Sequence, residues 1–216
     1  SKDKKRVTPK ICLSGAELSW SDTVRYLGNY ISFSMSEESE IMRKRGDLIG
    51  RVNSLLGNFS GMPYDVLIKI FNSQCCHLYG CQAWNLNDKY IDKLRTAYNR
   101  SVRRIFNLPW RTHCRFIPIL AQRKPVEAQI SDRFQKMLDS MMDNPNDRIS
   151  FIATICLNDQ QSIIAKNVNI CKKNICENLN NQEDQCIVKA ILELRSCNTV
   201  LNKEEAEELI NYLCVN

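Results

Sequence analysis

Residues 88–108 read DKYIDKLRTAYNRSVRRIFNL, and one helical wheel orders most of the stretch. At 100° per residue, Ile91, Leu94, Tyr98, Val102 and Ile105 fall within about 80° of arc,. Lys93, Arg100 and Arg104 lie within about 40° on nearly the opposite side,. The pattern predicts a helix over 88–108, capped by Asn87, with one face buried and the other a cationic ridge. Charged helix faces are ordinarily just solvated ones, but here acids are nearly absent. Residues 89–124 hold ten basic residues against the single acid Asp92, a local net charge of +9.

Upstream, Ile41, Leu48, Val52, Leu55 and Phe59 recur at helical spacing and predict a helix over 37–58, begun by Ser34 and Ser36 and ended by Gly57 and Gly61,. Pro63 suits the first turn of a second helix, expected through Trp84 and buried through Leu67, Ile70, Phe71, Leu78 and Cys81,. Strand texture is confined to residues 9–33. A Ser14-Gly15 turn and the β-branched and aromatic run Val24-Arg25-Tyr26-Leu27-Gly28-Asn29-Tyr30-Ile31 fit two or three short antiparallel strands,. Downstream, helices are expected over 116–121, 126–143, 147–157, 162–176, 184–195 and 203–214. Asn144-Pro145-Asn146 breaks the series and is the best candidate boundary,. The fold expected is mainly α, with a small antiparallel hairpin at its start.

Composition is that of a folded domain: 44% hydrophobic and 25% charged over 216 residues, with too little Gly and Pro for a fibrous or low-complexity chain,. No apolar run approaches the ~18 residues that span a bilayer. Residues 1–10 are polar and lead into no signal-type core, so an intracellular protein, cytoplasmic or nuclear, is expected,. Eleven cysteines, an odd number, read as mostly reduced, buried thiols,. The excess of 30 Lys plus Arg over 24 Asp plus Glu is clustered, because residues from Ile170 onward carry five bases and eight acids. A polyanion would therefore meet the middle of the chain.

Catalytic chemistry has little support. The two histidines, His77 and His113, lie in different predicted elements, and a nucleophile site needs a base beside the nucleophile. His77 reads as half-buried or packed on an aromatic. Cys171, Cys176, Cys186 and Cys197 lack zinc-ligand spacing, and Cys171, Cys176 and Cys186 read as small apolar residues on helix faces,. No Walker loop, G-x-G-x-x-G or H-E-x-x-H is present,. Adjacent aspartates, which could hold the metals of phosphoryl transfer, are also absent,.

Four passages together resemble the C-terminal part of a non-LTR (LINE-type) retrotransposon reverse transcriptase. Residues 24–31 are similar to that family's V/F-K/R-Y-L-G-x-x-I hairpin at the end of the palm. His77-Leu78-Tyr79-Gly80-Cys81-Gln82-Ala83-Trp84 is similar to its L-Y-G-x-x-x-W. Residues 97–106 form the third passage, and Pro109-Trp110-Arg111-Thr112-His113 is similar to its P-x-R-T-H. The likeness covers about residues 9–143.

The resemblance implies a palm-end hairpin over 1–36, a helical thumb and connector over 37–144, and a further helical region over 145–216 that resembles nothing nameable. It implies that Tyr26, Leu27 and Gly28 hold a primer end. It also implies that Lys93, Arg100, Arg103, Arg104, Arg111 and Arg115 contact phosphates of RNA, DNA or an RNA–DNA hybrid. The family's catalytic Asp-Asp turn is missing, so this stretch is expected to be no enzyme by itself. It is expected to need no cofactor, with magnesium belonging to an upstream polymerase domain and with no membrane partner. Trp84 and Trp110 are expected in the core. The competing expectation is a helical protein-interaction domain derived from such an element, its basic ridge facing an acidic partner or its own acidic C-terminal helices.

Overall fold

The helix read from residues 88–108 is present as α3 (Lys89–Ile105) in a computed structural model that describes residues 9–34 and 36–177. Its N-cap is Asp88, whose carboxylate accepts the Tyr90 N–H at 2.8 Å. The expected cap, Asn87, instead donates its own N–H to Asn85 Oδ1. A capping oxygen must reach the second or third amide of the helix, which Asp88 does here. The buried face is the one the wheel gives, with Ile91, Leu94, Tyr98, Val102 and Ile105 all in the core.

The chain forms two compact units, residues up to Glu40 and residues from Ile41 onward. Among its described residues the first holds four short strands in two antiparallel hairpins: β1 (Cys12–Leu13) with β2 (Ala16–Glu17), and β3 (Thr23–Tyr26) with β4 (Asn29–Ser32). Ser14-Gly15 and Leu27-Gly28 are two-residue turns in which every residue has positive φ. That geometry matches the right-handed strand twist and fixes the pairing of Tyr26 with Asn29 and Val24 with Ile31,. Leu27, at φ 47°, holds a conformation that side chains seldom adopt,. Buried Glu40, in the first turn of the following helix, accepts the Tyr30 N–H.

In the second unit α1 (Glu38–Asn58) buries Ile41, Leu48, Val52 and Leu55. Phe59 lies past the helix and is partly exposed, and Gly57 sits inside the helix rather than ending it. The expected helix over 63–84 stops early. α2 (Tyr64–Ile70) gives way to a wide π-type turn, Phe71–Cys75, then to irregular chain and one tight turn at Cys81–Ala83. The cause is visible in the backbone carbonyls of this stretch. Arg51 Nη1 donates to Gln74 O at 2.7 Å and Arg123 Nη1 to Asn72 O at 2.9 Å, so two carbonyls receive side-chain donors from other elements. The chain then passes Gly80 in a left-handed conformation. Leu78, Cys81 and Trp84 are buried without a helix to align them.

Beyond α3 come α4 (Phe116–Ala121), α5 (Val126–Met142), α6 (Asp147–Asn158) and α7 (Ile163–Glu177). Gln122, at φ 51°, ends α4, and Pro125 precedes α5. Asn146 caps α6 by accepting the Arg148 N–H. The core wraps α3, with the Phe71 and Tyr98 rings 5.5 Å apart and those of Tyr64 and Phe106 5.6 Å apart. A smaller cluster joins Phe134 and Leu138 of α5 to Cys171 of α7.

Asn167, buried on α7, accepts the Leu86 N–H at 2.9 Å and donates to Trp84 O at 2.8 Å. Pro145 thus lies in the bend between α5 and α6 and does not divide this unit. The helices expected over 184–195 and 203–214, with Cys186 and Cys197, lie outside the described residues. So does the Cys176 side chain. No helix among the described residues is long and apolar enough to cross a membrane.

Candidate nucleic-acid interface

The ridge side chains Lys93, Arg100 and Arg104 of α3 are exposed. Among the described residues no carboxylate pairs with Arg100 or Arg104. Arg104 Nη1 instead donates to the neutral amide oxygen of Asn53 on α1, at 2.8 Å, which keeps its positive charge uncompensated. The Lys93 ammonium lies 4.6 Å from the Tyr90 ring centroid, a cation–π distance that orients it without neutralising it,.

The remaining basic residues of 89–124 divide by role, a division invisible to a charge count. Arg95 pairs with Asp92 at 2.8 Å and Glu127 at 3.0 Å, and Lys124 with Asp132 at 2.7 Å. Arg123 is engaged with Asn72. Arg103 also stands apart from the expected phosphate contacts. Its Nε and Nη2 both donate to Thr112 O, at 3.0 and 2.7 Å, and Nη2 reaches Cys114 Sγ. This guanidinium ties the chain after α3 back onto the helix.

That tie shapes the Pro109-Trp110-Arg111-Thr112-His113 passage. Thr112 is buried and its hydroxyl donates to Pro109 O, while Trp110, Arg111, His113 and Arg115 are exposed. The Arg111 guanidinium lies 5.0 Å from the Trp110 ring, and that of Arg115 4.7 Å from the Phe116 ring. His113 Nδ1 accepts the Arg115 N–H. The two tryptophans therefore part company: Trp84 is in the core as expected, whereas Trp110 is 78% exposed.

On α1 the structure adds a feature the apolar pattern had hidden. Gly46, Gly50, Asn53 and Gly57 follow at spacings of 4, 3 and 4 and share about 60° of arc,. They lie opposite the buried stripe, and a Cβ at any of the three glycines would meet nothing within 4 Å. Asn53, the Arg104 partner, sits within this stripe of bare backbone. Helical spacing of small residues on the polar face was the signal available in the sequence.

In the first unit Tyr26 and Leu27 are largely exposed at the tip of the second hairpin. Gly28 is there for its φ of +81°, not for want of space. His77 is exposed, where a half-buried position was one of the two expected. Partial desolvation, then the charges of Arg51 and Lys44, lower its pKa. Among the described residues no group of His, Cys, Asp and Glu is arranged to hold a metal ion. No protein-family model matches the chain, and comparison with curated proteins and with solved structures likewise finds no match.

Proposed function

We propose that the second unit is a nucleic-acid-binding module in which the α3 ridge lies along the phosphates of a template–primer duplex. One observation carries the reading: Arg100 and Arg104 stand in solvent, uncompensated by any described carboxylate. Guanidinium groups so placed neutralise phosphates and position a duplex without reading its sequence. The glycine stripe beside Arg104 supports it, since an added Cβ there would meet no atom within 4 Å.

On this reading the module serves a polymerase of the non-LTR retrotransposon type and works inside the cell. The aspartates and magnesium of catalysis belong to another segment, and Tyr26, Leu27 and Gly28 meet the primer end. Duplex affinity is expected to fall steeply between low and moderate salt, with a log–log slope of about −0.9 per phosphate contact. Arg100→Gln/Arg104→Gln should flatten that slope by about 2, as measured by fluorescence anisotropy. An unchanged slope in the double variant removes the ridge from the interface.

The second reading, a protein-interaction domain, draws on α6, where Phe151, Ile152 and Ile155 are all more than half exposed. If the acidic segment beyond residue 177 masks the ridge, deleting residues 178–216 should raise duplex affinity. Unchanged affinity counts against masking.

A further inference from the structure

The loop after α3 presents a large aromatic ring to water and holds it there. Trp110 is 78% exposed, yet the backbone around it is anchored on both sides. Leu108 N–H donates to Arg103 O at 2.8 Å, and Thr112, two residues past the ring, is buried and receives the Arg103 guanidinium. Arg111, at 5.0 Å, can cover only one face of the indole. A ring with so much of its surface in solvent keeps its other face open.

The surroundings select what that face would meet. Arg111, His113 and Arg115 share the loop with Trp110, and the sequence holds no acid between Asp92 and Glu127. An apolar partner would gain nothing from this charge, and an acidic polypeptide would gain nothing specific from the flat ring. A polyanion that carries flat π-surfaces uses both. In a duplex those surfaces are covered by stacking, so the matching ligand has unpaired bases.

We infer that Trp110, flanked by Arg111, His113 and Arg115, is a base-stacking platform for single-stranded nucleic acid. It would take an unpaired nucleotide of RNA or DNA while the arginines meet the flanking phosphates. Arg103 is the positioning residue that fixes the loop. The inference extends the ridge reading, from which it is separable because the two surfaces answer to different probes.

The test uses the full chain carrying Trp20→Phe, so that emission comes from buried Trp84 and exposed Trp110. Oligo-dT and oligo-U of about twelve nucleotides, within the site sizes of single-strand binders, should quench the fluorescence. Trp110→Ala should weaken both by about tenfold, the worth of one stacked base, and weaken a duplex by less than twofold. Trp110→Phe should restore part of the loss. An abasic strand with the same number of phosphates should bind the parent protein as weakly as oligo-dT binds Trp110→Ala.

Equal affinity of parent and Trp110→Ala for oligo-dT overturns the inference, and so does an equal loss on duplex and single strand. Quenching of Trp110 by poly-glutamate as strong as that by oligo-dT assigns the loop to an acidic protein instead and also overturns it. Duplex binding of normal salt slope with an indifferent Trp110 leaves the ridge reading standing alone. Stacking without duplex binding leaves this inference standing alone. Failure of both probes removes both.

Discussion

Arg103 and Arg104 are sequence neighbours with opposite employment. A helix turns them about 100° apart, so Arg104 faces solvent beside Asn53 while Arg103 reaches Thr112,. Arg103→Ala should destabilise the fold by about 1.5–3 kcal/mol in urea, the worth of hydrogen bonds made by a charged group, and leave the salt slope of duplex binding unchanged. Buried thiols give a second residue-scale expectation. Burial pushes the Cys76 thiol up to about 12 and that of Cys81 to about 11, against an ordinary value of 9.0. At pH 8 iodoacetamide should therefore label the exposed Cys12 and Cys114 first, and Cys76 and Cys81 only after unfolding, as mass spectrometry would read,. Because these folded-state values are raised, the thiols support stability fully below pH 9. That support is lost as pH climbs from about 9 toward 12, where unfolded thiols ionise and folded ones resist,. Alkaline urea titrations should show the midpoint falling through that window.

At the level of the element, α1 keeps two faces with separate demands. Its buried stripe obeys the hydrophobic period, while Gly46, Gly50 and Gly57 weaken the helix by keeping its outer backbone bare,. Gly46→Ala and Gly50→Ala should each stabilise the protein by about 0.5–1 kcal/mol, since the added methyl meets nothing,. If a duplex lies on that face, the same variants should bind it more weakly, so that melting point and affinity move in opposite directions. The stretch after α2 teaches the converse. Its apolar residues suggest a helix through Trp84, but Arg51 and Arg123 supply donors to carbonyls of this stretch from distant parts of the chain. Local periodicity contains no information about such partners, which is why α3 and α5 are legible from their sequence and the chain over 71–87 is not.

Across the molecule, one amide ties α7 to the distant chain over 84–86. Asn167, itself buried, satisfies the backbone of Leu86 and Trp84 from more than eighty residues away. Asn167→Ala leaves the part-buried Leu86 N–H and the buried Trp84 carbonyl unpaired and should cost about 2–5 kcal/mol, with unfolding followed through Trp84 emission,. Truncation at Pro145 would remove the same amide, so the boundary suggested by Asn144-Pro145-Asn146 should yield a destabilised product in the same assay. The sequence alone determined the mainly helical class, the hairpin turns, the buried face of α3 and the cationic side opposite it. Those follow from steric and hydrophobic rules acting within a few residues. Which arginines are consumed by carbonyls and carboxylates and which stay in water, why Trp84 is buried while Trp110 is held out, and how α7 seals the chain over 84–86 were decided only in three dimensions. Each of these depends on a partner brought close by the packing of distant segments, and the order of residues along the chain does not encode that proximity in any local pattern.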